Sequence, residues 1–162
     1  MCVVGNLTVD EVVVEREKRV QAGGAALYAS AAAAKMAIEV GVVSNVGYDY
    51  PEEHLKQLVS FGVDVTGVKT VQDAATTRFL LDYSGTVRRL FLRARCKRIE
   101  PEDVQGVSAE AVHIGAVFDE VPLRTVLELS VRCGFLSLDP QGLVRRATRD
   151  RKVLPKPWFD AR

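Results

Sequence analysis

The chain has 162 residues, 48% of them hydrophobic and 27% charged, and its formal net charge is +1 at pH 7. That size and balance fit one globular domain and exclude the strong global field that draws a protein to nucleic acid or to an anionic membrane. The densest basic stretch, "RRLFLRARCKR" at 88–98, alternates charge with apolar residues, so it reads as a two-faced strand and not as a nucleic-acid patch. No apolar run reaches the length needed to span a bilayer, and "MCVVGNLTVD" has no basic leader pattern, so a cytoplasmic protein is expected. Cys2, Cys96 and Cys133 are widely spaced and form no Cys-x-x-Cys. They read as reduced structural thiols, and neither they nor His54 and His113 give a metal-ligand spacing.

In chain order, "CVVGNLTVDEVVV" opens as a buried β-branched strand, and "EVVVEREKRVQ" at 11–21 reads as a strand exposed on one face. Gly23-Gly24 ends it. "AALYASAAAAKMAIEVG" is a helix, because alanine loses almost no side-chain entropy on becoming helical, and Gly41 is placed as its stop. "VVSNVG" is a second buried strand. The segment after Tyr50 is an amphipathic helix that Pro51 starts, acidic residues favour in its first turn and Gly62 ends. Residues 76–96 read as a hairpin around Ser84-Gly85, and "PEDV" as a short turn. "AVHIGAV" is a strand, "DEVPLRTVLELSVRCG" a helix and "FLSLDPQG" a strand ending in a loop. The tail from Arg145 shows no period and receives no element.

Strands that alternate with helices predict a mainly parallel sheet with helices on both faces. The exposed strand and the hairpin, about 11–22 and 75–98, fall outside that alternation and predict a small separate sheet. In open α/β sheets ligands bind beyond the carboxyl ends of the strands. The residues there are Asn6, Thr8 and Asp10, then Gly23 and Gly24, then Asp119 and Glu120, then Asp139. Ionised carboxylates are pure acceptors and suit a hydroxyl-rich ligand, although each one singly also serves as a helix cap or turn residue. Gly-Gly before a helix permits close backbone approach and presents amide donors. A dinucleotide fold is rejected, since "GNLTVD" and not G-x-G-x-x-G follows the first strand.

The pieces "GNLTVD", "GGAALYASAAAAKMAIEVG", "VGYD", "FGVDV", "AVHIGAV" and "SLDPQGLVR" occur in the order of one family. The chain resembles the N-terminal portion of the ribokinase-like (PfkB) carbohydrate and nucleoside kinases, over nearly all its length. The resemblance implies a three-layer α/β/α, Rossmann-like, mainly parallel sheet with a small β lid. It implies a single incomplete domain over 1–162, with the C-terminal half absent. In the family the Gly-Gly turn lines the sugar site and an aspartate after the first strand holds the acceptor's hydroxyls. Carried over, Thr8, Asp10, Gly23 and Gly24 face the acceptor, and Glu120 is the best match to an acidic residue that contacts sugar in some members. Tyr28 stands where the family has asparagine. Its ring either stacks on a sugar, cyclitol or base, which would move specificity away from ribose-like furanoses, or packs inward in the alanine-rich helix.

The family's catalytic Gly-Ala-Gly-Asp provides an anion hole and a general base, as phosphoryl transfer requires. It does not occur here. The nearest string, "GAVFD" at 115–119, follows the wrong strand, and the Asn-x-x-Glu element tied to magnesium is also missing. The expectation is therefore the acceptor-binding portion of an ATP- and Mg2+-dependent kinase, a truncated product or fragment that does not fully bind either cofactor and holds no catalytic residue. The alternative is a non-catalytic binding or oligomerisation module derived from the fold. An unpaired sheet edge and the lid predict a homo-oligomer, with a small sugar, polyol or nucleoside as ligand and neither nucleic acid nor membrane as partner.

Overall fold

The structure, a computed structural model, describes residues 1–158. A short strand, β1 (Cys2–Val4), leads through a loop at 5–7 into a hairpin, β2 (Thr8–Val14) and β3 (Glu17–Gly23). Helix α1 (Ala25–Lys35) follows the glycine pair at once. Next come β4 (Val40–Gly47), α2 (Glu52–Ser60), β5 (Val63–Asp64) and β6 (Val68–Val71). A second hairpin, β7 (Arg78–Asp82) and β8 (Arg89–Ala94), precedes a 3-10 turn at Pro101–Val104. Then follow β9 (Ala111–Gly115), α3 (Leu123–Ser130), β10 (Phe135–Asp139) and a third hairpin, β11 (Arg145–Ala147) and β12 (Val153–Pro155).

Strand side chains alternate between faces, so two adjacent buried valines demand cover on both sides. Val3 and Val4 are both fully buried. Val3 packs in a cluster with Ala26 and Ala33 of α1, Val42 of β4 and Leu58 of α2. Cys2 and Val4 pack on the other face with Val112 and Ile114 of β9 and Val126 and Leu129 of α3. The sheet between these layers is parallel, in the order β10-β9-β1-β4-β5, with β6 also paired to β4. This is a three-layer α/β/α arrangement. A separate four-stranded sheet in the order β3-β2-β7-β8 forms the lid, with β2 and β7 parallel at its centre. Phe79 of the lid meets Phe118 of the core edge-on, 6.4 Å between ring centres. Asp49, after β4, accepts from the Thr76 amide at 2.7 Å and from the Arg78 guanidinium at 2.9 Å, which fastens the root of the lid.

Four sequence expectations change. Residues 11–21 are not one strand but parts of two, reversed at Glu15, which adopts φ 54°. Helix α1 stops well before Gly41: Ala37 takes φ 59°, and the Ile38 and Ala37 amides donate to the Ala33 and Ala34 carbonyls at 3.1 and 3.0 Å. That is a Schellman closure made on alanine where glycine is usual, and Gly41 lies inside β4. β5 and β6 are too short to leave a periodic signal. The tail, which received no element, forms the β11–β12 hairpin; its residues 159–162 lie outside the described residues.

Cys2 and Cys96 are buried and Cys133 is half-buried, all as free thiols. Burial pushes the Cys2 thiol up to about 11, which keeps it in the unreactive protonated form. Among the described residues no helix is long and apolar enough to cross a membrane.

Candidate functional site

Thr8 begins β2 and Gly23 ends β3, and the two are register partners. Thr8 and Asp10 project from the same face of β2, two residues apart. The Thr8 hydroxyl donates to Asp10 Oδ1 at 2.8 Å. A Cβ on Gly23 would stand 2.1 Å from Asp10 Oδ2 and 2.7 Å from Thr8 Oγ1, so any side chain there would drive the carboxylate away. Gly24 answers a different need. Its φ of 98° turns the chain into α1, and a Cβ would stand 2.6 Å from the Asn6 carbonyl oxygen. The first glycine admits the carboxylate and the second permits the turn. Burial pushes the Asp10 carboxyl above its usual range, against the opposing hydrogen bonds from Thr8 and the Phe79 backbone.

This pair opens on a cavity of about 300 Å3. Thr8, Asp10, Gly24, Ala25 and Tyr28 line one side, Phe79, Leu81, Arg88 and Leu90 of the lid line another, and Val117, Gln141 and Arg145 complete it. A larger cavity of about 1000 Å3 shares Arg88, Leu90, Gln141 and Arg145 with it. The lower volume is enough for a single small ring.

Thr8, Asp10, Gly23, Gly24 and Tyr28 come together, and Tyr28 is 57% exposed at the lip of the cavity. Inward packing of Tyr28, one of its two open readings, is therefore overturned. Glu120 does not join them. It is 2% exposed, and its carboxylate accepts from the Val117 and Phe118 amides, each at 2.6 Å, and from the Asn6 amide at 3.4 Å. These bonds pull against the burial that raises its pKa. Glu120 braces the loop after β9 against the loop after β1 and does not line the cavity.

Asn6 works in the same scaffold: its side chain donates to the Lys97 carbonyl at 3.1 Å and accepts from the Asn45 amide at 3.0 Å. Asp119 is gripped by Arg95 at 2.9 Å and by Arg98. Asp139 accepts from the Gln141 amide at 2.9 Å, the capping role open to any such carboxylate. The sequence reading missed Arg88, Gln141 and Arg145 as cavity residues. The only available signal was that "RRL" and "DPQGLVR" lie at a hairpin turn and just past a strand end. Among the described residues no cluster of three His, Cys, Asp or Glu side chains is placed to hold a metal ion. The magnesium that the resemblance implies thus finds no ligand set among them.

The central sheet, its two helical layers and the lid define the ribokinase-like fold. No protein-family model and no curated protein matches the chain in sequence. Solved structures match it in shape. One is a pyrophosphate-dependent kinase in the ribokinase family complexed with a pyrophosphate analogue and myo-inositol, at TM-score 0.85 and 23% identity, over 97% of this chain and 54% of that one. A ribokinase from Thermotoga maritima matches at TM-score 0.69 and 22% identity, over 86% of this chain and 52% of that one. A ribokinase from Cryptococcus neoformans in complex with ADP matches at 0.67 and 20%, over 86% and 50%. At these identities the likeness establishes the fold. The chain spans about half the length of the structures it matches.

Proposed function

We propose that this chain carries the acceptor-binding portion of a kinase that transfers a phosphoryl group to a hydroxyl of a sugar or polyol, with a nucleoside as the less favoured acceptor. The observation that supports this reading is the Thr8–Asp10 pair, held against a glycine that leaves no room for a side chain and opening on a cavity of about 300 Å3. A sugar hydroxyl both donates and accepts. Asp10 Oδ2 accepts a hydrogen bond from it, and Thr8 Oγ1, already donating to Oδ1, keeps lone pairs for a second hydroxyl. Phe79, Leu81 and Leu90 face the C–H side of the ring, and Tyr28 closes the lip. This favours a six-membered cyclitol or pyranose over a furanose, in keeping with the myo-inositol bound by one structural neighbour.

The residues here bind and orient the acceptor. The donor is a phosphoanhydride, ATP with Mg2+ by the resemblance, or pyrophosphate by the likeness to a pyrophosphate-dependent neighbour. Bound donor and metal supply the transferred phosphoryl group and charge neutralisation, and no described residue is placed as their ligand set or as the general base. We also propose self-association, through the exposed β3 edge of the lid or the β10 edge of the central sheet. A monomer in sedimentation at micromolar concentration would overturn it.

The test is a thermal-shift panel of hexoses, cyclitols, nucleosides and ATP–Mg2+ in separate wells. A polyol that stabilises the chain, and loses that effect in Asp10→Asn, supports the acceptor site. No shift with any polyol or nucleoside sinks it. A shift with ATP–Mg2+ alone would relocate the function to a nucleotide site.

A further inference from the structure

The lid is tied to the core twice. Besides the contacts at its root, its outer edge, β8, is held by the β11–β12 hairpin. The backbone of Lys152 bridges antiparallel to that of Phe91, and the Leu92 amide donates to the Arg151 carbonyl at 2.8 Å. The Arg151 guanidinium reaches the next residue of the same edge and donates to the Arg93 carbonyl at 2.7 Å. Val153 adds an apolar contact: with Leu90 and Leu92 it packs on the cluster of Phe79, Val117 and Phe118. At its other end the hairpin is fixed to the core. Arg145, its first residue, donates to the Val117 carbonyl at 3.1 Å. Gly142, just before it, accepts from the Asp119 amide at 2.9 Å and lies so close to Ala116 that a Cβ on it would stand 2.6 Å from the Ala116 Cβ.

The turn of this hairpin, 148–152, depends on one strained residue. Arg151 adopts φ 63°, the left-handed conformation that glycine takes freely and a residue with a Cβ takes at a cost. Its own amide holds it there by donating to the Thr148 carbonyl at 2.9 Å, and the Lys152 amide donates to the Thr148 hydroxyl at 3.1 Å. The residue that closes the turn is thus also the one that gives β8 both an acceptor and a donor. We propose that the β11–β12 hairpin is a latch, with Arg151 as its catch, which holds the β8 edge of the lid to the core and sets how far the lid opens. Both cavities lie under the span that it closes. The larger is walled by the lid turn on one side and by residues 152–155 of the hairpin on the other, and the smaller shares Arg88 and Leu90 of the lid. Release of the latch frees β8 while Asp49 and Arg78 still fasten the root. The latch rests on contacts within the chain and holds whether or not the cavity takes a polyol.

Amide hydrogen exchange of the full chain, read residue by residue by NMR, tests this in the wild type and in Arg151→Ala, Arg151→Pro and Arg149→Ala. Arg151 is exposed and belongs to none of the core clusters, so its variants open no cavity in the core. Alanine removes the guanidinium alone. Proline also removes the amide that closes the turn, and its ring forbids a positive φ. Arg149→Ala changes an exposed residue of the same turn and serves as the control. The expected result is exchange across β7 and β8, Leu92 first, that is about threefold faster in Arg151→Ala and about tenfold or more faster in Arg151→Pro. β1 and β9 keep wild-type rates in every variant, and the lid does so in Arg149→Ala. Wild-type exchange in β8 of Arg151→Pro overturns the latch. So does acceleration confined to Leu92 with β7 unchanged, because the hairpin then caps an edge without restraining the lid. Equal acceleration in β1 and β9 overturns it as well, because the hairpin then belongs to the core's global stability. If the lid accelerates as expected and no polyol shifts the melting temperature of the wild type, the latch stands and the acceptor reading fails.

Discussion

In the central sheet Val3, Val4 and Ile114 are fully buried, whereas in the lid every residue of β3 from Glu17 to Gln21 is exposed. The central sheet is closed from both faces by helices, so apolar burial fixes its strands. The lid has one covered face, built on Phe79 with the partly buried Leu81, Leu90 and Leu92, and it is moored at its root by ionic hydrogen bonds. Asp49 holds Arg78, Asp73 holds Lys97, and Asp119 holds Arg95 and Arg98. A sheet moored in this way opens locally at lower cost than the core. The cavity of about 300 Å3 lies between the two, so a ligand bound there would read the lid's position while global stability reads the core.

The largest effect that separates the two regions is cavity creation. Ile114→Ala, in β9, should cost about 2–5 kcal/mol in denaturant unfolding, because its surroundings are closed from both faces. Leu81→Ala, partly exposed in β7, should cost about 1 kcal/mol. Equal costs would mean that the lid is as tightly built as the core.

Next in size are changes at the cavity. Gly23→Ala should weaken polyol binding by about 10- to 100-fold, because its Cβ would stand 2.1 Å from the Asp10 carboxylate. Asp10→Asn should abolish polyol binding as thoroughly, yet its stability should move the opposite way. Burial raises the folded carboxyl of Asp10. Its favourable contribution is therefore complete below its ordinary pKa and lost as pH rises through the folded value, so at pH 7 the buried charge is a burden. The asparagine variant should melt at or above the wild-type temperature at pH 7. A lower melting temperature with binding intact would remove Asp10 from the site.

These contrasts also show which parts of the molecule the sequence exposes to reading. β1 and β9 are legible because unbroken apolar runs such as "CVV" leave few alternatives to a strand buried on both faces. The convergence of Thr8, Asp10 and Gly23 was legible through resemblance alone, since strand spacing does not say which residues meet across a hairpin. The end of α1 was misplaced because alanine, at Ala37, accepts the left-handed conformation that glycine usually takes, and tertiary contacts decide that. The direction of the Glu120 side chain was not legible for a related reason. A carboxylate after a strand points either into the cleft or back at its own loop's amides, and periodicity carries no information on that choice. Arg145 escaped notice because Arg88, which lines the same cavity, lies far away in sequence and only the fold brings the two together.

A smaller effect, at the lid's root, depends on pH. Partial burial pushes the Asp119 carboxyl up, but the hydrogen bonds and charges of Arg98 and Arg95 outweigh it and hold the folded pKa below the usual carboxylate value. A depressed folded pKa gives stability that is complete above about pH 5 and is lost as pH falls through the folded value. Because the arginines are partly exposed, solvent screening keeps the loss near about 1 kcal/mol. Asp119→Asn should remove that acid-side slope and lower the melting temperature at pH 7. An unchanged slope would assign the acid sensitivity to other carboxylates, Asp49 first among them.

The smallest effect on stability is expected at Tyr28, and there the comparison is sharpest. The residue is 57% exposed on the first turn of α1, so Tyr28→Ala should shift unfolding by no more than about 0.5 kcal/mol. If its ring covers a cyclitol or pyranose, the alanine variant should lose about three- to tenfold in affinity, whereas Tyr28→Phe, which keeps the ring and loses the hydroxyl, should lose less. A loss shared equally by both variants would assign the contact to the hydroxyl. No loss in either would leave Tyr28 as a surface residue, and the site's specificity would rest on the lid side chains Phe79, Leu81 and Leu90.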